Sequence, residues 1–204
     1  MTFKSALTLT AGAAFLALAA PAHAKFATGS TVTDMAVVDS NGELHIMSDY
    51  AGKTVVLEWT NHGCPYVQKH YDTNNMQNLQ KSAADDDVVW LSIVSSAPGT
   101  QGFVSGDEAN VLTASRDAAP SAVLLDPAGS VGRTFEAKTT PHMYIIDADQ
   151  TLVYQGAIDD NRSARTRSVE GAHNYVTAAL DAMKAGEPIA VAETTPYGCN
   201  VKYK

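Results

Sequence analysis

Cysteine is scarce in this chain: Cys64 and Cys199 are the only two among 204 residues. Two thiols allow one intramolecular pairing at most, which is too little for a disulfide scaffold at this length and points to chemistry rather than framework. Basic residues are also short, 14 against 22 acidic ones, for a formal net charge of −8. That balance disfavours nucleic acid and anionic membrane surfaces as partners. Apolar runs long enough to span a bilayer are missing; the longest, 6–20, is too short to cross one comfortably. Lys4 ahead of that run and Ala22-His23-Ala24 behind it read as a signal peptide over 1–24. The expectation is an exported protein, in a bacterial periplasm, with no membrane attachment once the signal is cleaved and with disulfides permitted. The mature chain, 25–204, keeps 13 basic residues against 22 acidic ones, a net charge of −9. Its length suits a single domain.

What is present centres on 54–67, Thr-Val-Val-Leu-Glu-Trp-Thr-Asn-His-Gly-Cys-Pro-Tyr-Val. The β-branched start suits a strand covered on both faces, and Pro65 suits the first position of a helix, where a missing N–H costs nothing. Cys64 then stands at a helix N-terminus, where unpaired N–H groups and the positive end of the dipole favour the thiolate. This makes it a candidate nucleophile; the competing reading is a half-buried cysteine that only packs. An acid and an aromatic at the strand end, with the cysteine six positions after the acid, resemble the thioredoxin pattern, and Glu58, Trp59 and Cys64 fit it. Where a dithiol thioredoxin has its second cysteine, this chain has Val67.

Taken in order, Asn41-Gly42 between apolar stretches predicts an N-terminal β-hairpin with a type I′ turn. A helix is predicted over 65–84 with Val67, Tyr71, Met76 and Leu79 inward, then a solvated Asp85-Asp86-Asp87 turn and a buried strand 88–94. The Gly/Ser/Pro-rich stretch 97–106 reads as a long loop, either a functional rim or an insert. Beyond it come a helix capped by Asp107, a strand 121–125, a short helix ending at Phe135, and the strands 142–147 and 151–154 joined by a tight turn. A last helix over 168–184 ends at Gly186, and 189–204 is an extended tail carrying Cys199.

This order of elements resembles the thioredoxin fold: an α/β domain with a central mixed β-sheet flanked by helices. Thr140-Pro141 falls where that fold keeps a cis-proline beside the reactive cysteine, leaving a backbone edge for substrate. A trans-proline that merely starts a strand is the alternative. Three motifs sharpen the likeness: Asn61-His62-Gly63-Cys64-Pro65-Tyr66-Val67, Tyr154-Gln155-Gly156-Ala157-Ile158-Asp159-Asp160 and Gly198-Cys199-Asn200-Val201-Lys202-Tyr203. On these the chain resembles the peroxiredoxin-like, redoxin-type members of the thioredoxin superfamily. It departs from them by the extra Gly63 and by Thr140 where relatives often carry a further cysteine. Asn61 and Leu57 also stand where true peroxiredoxins place a threonine and a proline.

The resemblance implies a thiol oxidoreductase whose Cys64 attacks a disulfide sulfur or a hydroperoxide, with Cys199 the one internal thiol able to resolve the intermediate. Glu58 is a candidate proton relay, or else an acid that pairs with lysine or reaches solvent. Pro141 and Thr140 are expected to form the substrate edge, with Pro65, Asn61 and His62 beside it. Partners would be a thiol reductant or a disulfide-bearing protein, with hydroperoxide as a further substrate. No cofactor and no metal are expected; His62, His142 and Cys64 lack the second cysteine that would complete a soft-metal site. Arg116 and Arg133 are candidates to steady a peroxide or thiolate, or are surface residues. The competing class is a non-enzymatic binding protein or metallochaperone with a structural Cys64–Cys199 bridge, a loop closure of about 4–5 kcal/mol in the chain-entropy model.

Overall fold

A five-stranded mixed sheet holds the molecule together because its middle strand carries no polar side chain to solvent. β3 (Val55–Trp59) is buried at every residue. It pairs in parallel with β4 (Val89–Val94) and antiparallel with β7 (His142–Ile146); β5 (Ala122–Leu125) and β8 (Leu152–Gly156) flank them, in the order β5-β4-β3-β7-β8. Alternation along β3 divides the core. Val55, Leu57 and Trp59 face Leu91, Ile93, Tyr144 and Phe135 on one side of the sheet, while Val56 faces Trp90, Met143, Ile145 and Tyr154 on the other. The computed structural model describes residues 26–32 and 35–204, so the expected signal peptide 1–24 lies outside the described residues. No helix among the described residues is long and apolar enough to cross a membrane.

Several local expectations change. The hairpin β1 (Ala36–Val38) and β2 (Leu44–Ile46) forms, yet only Gly42 has positive φ, so the turn is not type I′. Asp39 replaces that geometry by accepting the N–H groups of Asn41 and Glu43 on one carboxylate oxygen, which builds the longer turn from a side chain. The expected helix 65–84 is two, α1 (Pro65–Asp72) and α2 (Asn75–Asp85), broken where Asn74 adopts a left-handed φ of 58°. Val67, Tyr71 and Met76 still point inward. α3 (Gly106–Ser115) starts earlier than expected, because Ser105 and Glu108 form a reciprocal capping box that Asp107 cannot provide.

After α4 (Ser130–Thr134) come the two-residue β6 (Thr139–Thr140) and a cis Thr140–Pro141 bond. The predicted helix 168–184 is shorter: a 3₁₀ turn at Thr166–Ser168 precedes α5 (Tyr175–Ala185), which Asn174 caps by accepting the Thr177 N–H. The tail is extended as expected, ending in β9 (Cys199–Asn200) paired antiparallel with β6.

Candidate active site

The sulfur of Cys64 is placed by three segments that are far apart in sequence. Cys64 is the N-cap of α1, with Pro65 at the first helical position, as the composition of the stretch predicts. The register Trp59↔His142 brings Pro141, one residue ahead of β7, beside the loop that follows β3. Cys64 Sγ then donates to the Thr140 carbonyl at 3.1 Å. The β6–β9 register sets Cys199 opposite Thr140, and the Cys199 thiol comes within hydrogen-bonding reach of Cys64. Both cysteines are free thiols. Cys64 is 0% exposed and Cys199 only half-buried.

Burial works against the Cys64 thiolate, but the Cys199 thiol, the Thr140 hydroxyl and the N–H groups of Cys199 and Val67 outweigh it, and its pKa lies below the ordinary thiol value. Thr140 serves both protonation states. Its carbonyl accepts the S–H, while its hydroxyl has no other partner among the described residues and is available to the sulfur anion. Cys199 shifts the opposite way, pushed up to about 11 by burial first and then by its bond to Cys64. The pair is polarised: one sulfur is disposed to attack and the other to keep its proton.

The neighbouring turn is clamped by the 97–106 loop. Asn61 Oδ1 accepts the Gly63 N–H at 3.0 Å, while Asn61 Nδ2 donates to the backbone carbonyl and side chain of Gln101 at 3.2 and 3.1 Å. Gly63, the extra residue, sits where a Cβ would run into the Gln101 amide. The loop is thus a rim of the site. Ala97 N–H also donates to the Lys202 carbonyl, which ties the rim to the tail. His62 is partly exposed on this turn, its pKa lowered first by burial and then by Arg116. A cavity of about 20 Å³ lies beside it, lined by Thr60, His62, Tyr71 and Arg116 among others.

Glu58 neither pairs with lysine nor reaches solvent. It is fully buried and accepts from Trp90 Nε1 at 2.9 Å, Ser92 Oγ at 2.9 Å, Tyr71 OH at 3.0 Å and Gln80 Nε2 at 3.2 Å. Among the described residues no hydrogen bond joins it to Cys64. His142 Nδ1 bonds the Tyr144 hydroxyl at 2.9 Å, and among the described residues the ligand atoms of His142, His62 and Cys64 do not cluster as a metal set. Arg133 donates to the carbonyls of Ala128 and Lys204 and lies over the Tyr203 ring, and Arg116 lies over the Tyr71 ring at 4.1 Å. The arginines brace the tail and the helix.

Sequence reasoning missed the residues that dock the tail. Lys69 is fully buried on α1, 2.7 Å from the Asn161 carbonyl and 3.6 Å from Asp159 Oδ2, and Asp159 Oδ1 accepts the hydroxyl of Tyr197. A lysine in the helix after the cysteine gives no sign in sequence that it will be buried.

The redoxin family model matches residues 27–173. A search of curated proteins finds no match. Among solved structures, the chain is similar to a hypothetical protein of Sinorhizobium meliloti (20% identity, 88% of this chain and 96% of that one, TM-score 0.75). It is similar to an uncharacterized conserved protein of Geobacillus kaustophilus (23% identity, 88% and 93%, TM-score 0.76). A third likeness is to the thioredoxin domain of a thiol-disulfide oxidoreductase of Bacteroides vulgatus (17% identity, 72% and 97%, TM-score 0.51). At these identities the structures speak for the fold, and the family model covers most of the chain. The chain belongs to the redoxin family and is an oxidoreductase with the thioredoxin-like fold.

Proposed function

We propose that the protein is an exported thiol oxidoreductase in which Cys64 is the attacking sulfur and Cys199 the internal resolving thiol. The observation that carries this reading is the polarised pair: Cys199 faces Cys64 across β6–β9, with the Cys64 pKa lowered and that of Cys199 raised. With a disulfide, the Cys64 thiolate attacks one sulfur and releases a thiolate; Cys199 then attacks the Cys64 sulfur, releases the second thiolate and leaves a Cys64–Cys199 disulfide. With a hydroperoxide, Cys64 takes the terminal oxygen as its sulfenic acid while the O–O bond breaks to an alcohol or water, and Cys199 displaces that oxygen as water. In both cases two thiols lose two electrons and an external thiol must restore them.

Thr140 and Pro141 stand beside Cys64 under β9, so an extended disulfide-bearing segment would reach their edge only once β9 has lifted from β6; Asn61 and Pro65 hold the helix start, and His62 lines its approach. Glu58 keeps a proton-relay role only through rearrangement of its donors. The binding-protein reading gains no support, since β9 of the same chain already covers the edge it requires. Export rests on the 1–24 segment alone. The test is turnover of hydrogen peroxide and of a model disulfide by one preparation. Cys64→Ser is expected to lose both activities with an unchanged circular dichroism spectrum, and retained turnover in that variant would move the chemistry elsewhere.

A further inference from the structure

The segment 154–160 has no place in the chemistry above, yet its side chains converge on the tail. Gly156 has a φ of 145° and meets Thr194 so closely that a Cβ would overlap its hydroxyl and carbonyl. The Thr194 hydroxyl accepts the Ala157 N–H at 2.8 Å and bonds the Tyr154 hydroxyl at 2.8 Å. Three residues on, the buried Tyr197 donates to Asp159. Lys69 closes the chain from the other side, 3.6 Å from Asp159 and 4.9 Å from the Tyr197 ring centroid. Cys64 caps the start of α1 and Lys69 lies in its last turn, so this network links the tail to the helix that holds the nucleophile. Tyr197 is two residues from Cys199, and Gly198 between them has a φ of 142° and packs on the Thr140 carbonyl.

We propose that Tyr154, Gly156, Asp159 and Lys69 form a latch for the C-terminal strand, with Tyr197 as its bolt. By holding Cys199 against Cys64, the bolt decides whether oxidised Cys64 closes to an internal disulfide or stays open to further oxidation and to outside thiols. Tyr197 is a positioning residue, since it acts on Cys199 through the backbone of Gly198. The partition follows from competition at one sulfur. Cys64 sulfenic acid either loses its oxygen as water to the Cys199 thiol, or its sulfur attacks a second peroxide and breaks the O–O bond, which gives the sulfinic acid and one more water. A resident thiol wins by proximity. The regulation inferred here rests on Cys64 being the attacking sulfur.

Tyr197→Phe removes one hydroxyl from the full chain and keeps the ring beside Tyr66 and Lys69. Two measurements separate the latch from a merely structural role: the rate of Cys199 alkylation in the reduced protein, and the ratio of Cys64–Cys199 disulfide to Cys64 sulfinic acid after excess hydrogen peroxide, read by peptide mass. Loss of a charge-assisted hydrogen bond is expected to speed alkylation about tenfold and to shift the ratio toward sulfinic acid by a similar factor. Thr194→Val should move both readouts in the same direction by a smaller factor. Unchanged Cys199 alkylation in Tyr197→Phe overturns the latch. If Cys64 of the unaltered protein fails to react with peroxide or a model disulfide, the attacking role of Cys64 falls instead; the latch is then judged by the Cys199 rate alone, which needs no chemistry at Cys64.

Discussion

Two buried carboxylates flank α1, and they are satisfied in opposite ways. Glu58 has only neutral donors, drawn from β4, α1 and α2, all within residues 58–92. Asp159 has a buried lysine and a tyrosine hydroxyl, and the tyrosine arrives from the tail, 38 residues on. The first cluster joins two neighbouring strands of the sheet to the two helices that follow Cys64, so it opens only if the domain opens. The second joins the domain to a segment held by a few hydrogen bonds and a two-residue strand pairing, which is the kind of unit that opens locally. A buried polar group therefore fixes the fold at one end of the site and the position of a reactive thiol at the other.

The largest expected effect tests the Glu58 side. Glu58→Leu leaves the Trp90, Ser92 and Tyr71 donors without their acceptor, while Gln80 keeps the Tyr71 hydroxyl at 3.2 Å, and unpaired buried donors cost about 1–3 kcal/mol each before relaxation. A global loss of about 4 kcal/mol is expected in urea unfolding. A loss below about 1 kcal/mol would mean that the cluster does not hold the domain.

Next comes pH, which separates the clusters because only the Asp159 side has a buried histidine at its edge. His70 Nε2 lies 3.8 Å from Asp159, and burial, aided by Lys69, pushes the His70 pKa down to about 3; burial also pushes His142, across the sheet, to about 3. Both are lowered relative to an unfolded value of about 6.5, so the unfolded chain binds protons that the native state refuses. Their contribution is complete above about pH 6.5 and is lost as pH falls toward 3, at about 1.4 kcal/mol per pH unit for each ring, hence about 2.7 for the two. His70→Gln should remove half of that slope in denaturant titrations between pH 6 and 4. An unchanged slope would show that His70 takes up its proton in the native state.

The smallest global effect belongs to the tail. Gly198→Ala puts a Cβ into the Thr140 carbonyl at a φ of 142°, so β9 must leave β6. We expect faster alkylation of both cysteines, a higher Cys64 pKa once the Cys199 bond is gone, and a loss of less than about 1 kcal/mol in global stability. A large drop in the unfolding midpoint would erase the contrast between the two carboxylates.

Much of this arrangement was legible beforehand. Pro65 after Cys64 fixed a helix start because proline's missing N–H is tolerated only there, and the β-branched run 54–56 fixed a strand buried on both faces. The cis-proline beside the cysteine followed from the resemblance to the thioredoxin fold, and the extended tail from the lack of helical periodicity after Pro188. Helix ends were less legible: Asn74 breaks the helix through a left-handed backbone that periodicity does not register, and the start of α5 depends on the Asn174 cap rather than on the apolar positions before it. What the sequence determined by itself was local: which cysteine stands at a helix N-terminus, and which residues can turn, cap or extend. Tertiary structure alone decided that Cys199 faces Cys64, that Glu58 takes neutral donors, and that Lys69 is buried against Asp159 and Tyr197. Each of these joins groups brought together by strand register and packing, and a one-dimensional pattern carries no measure of that distance.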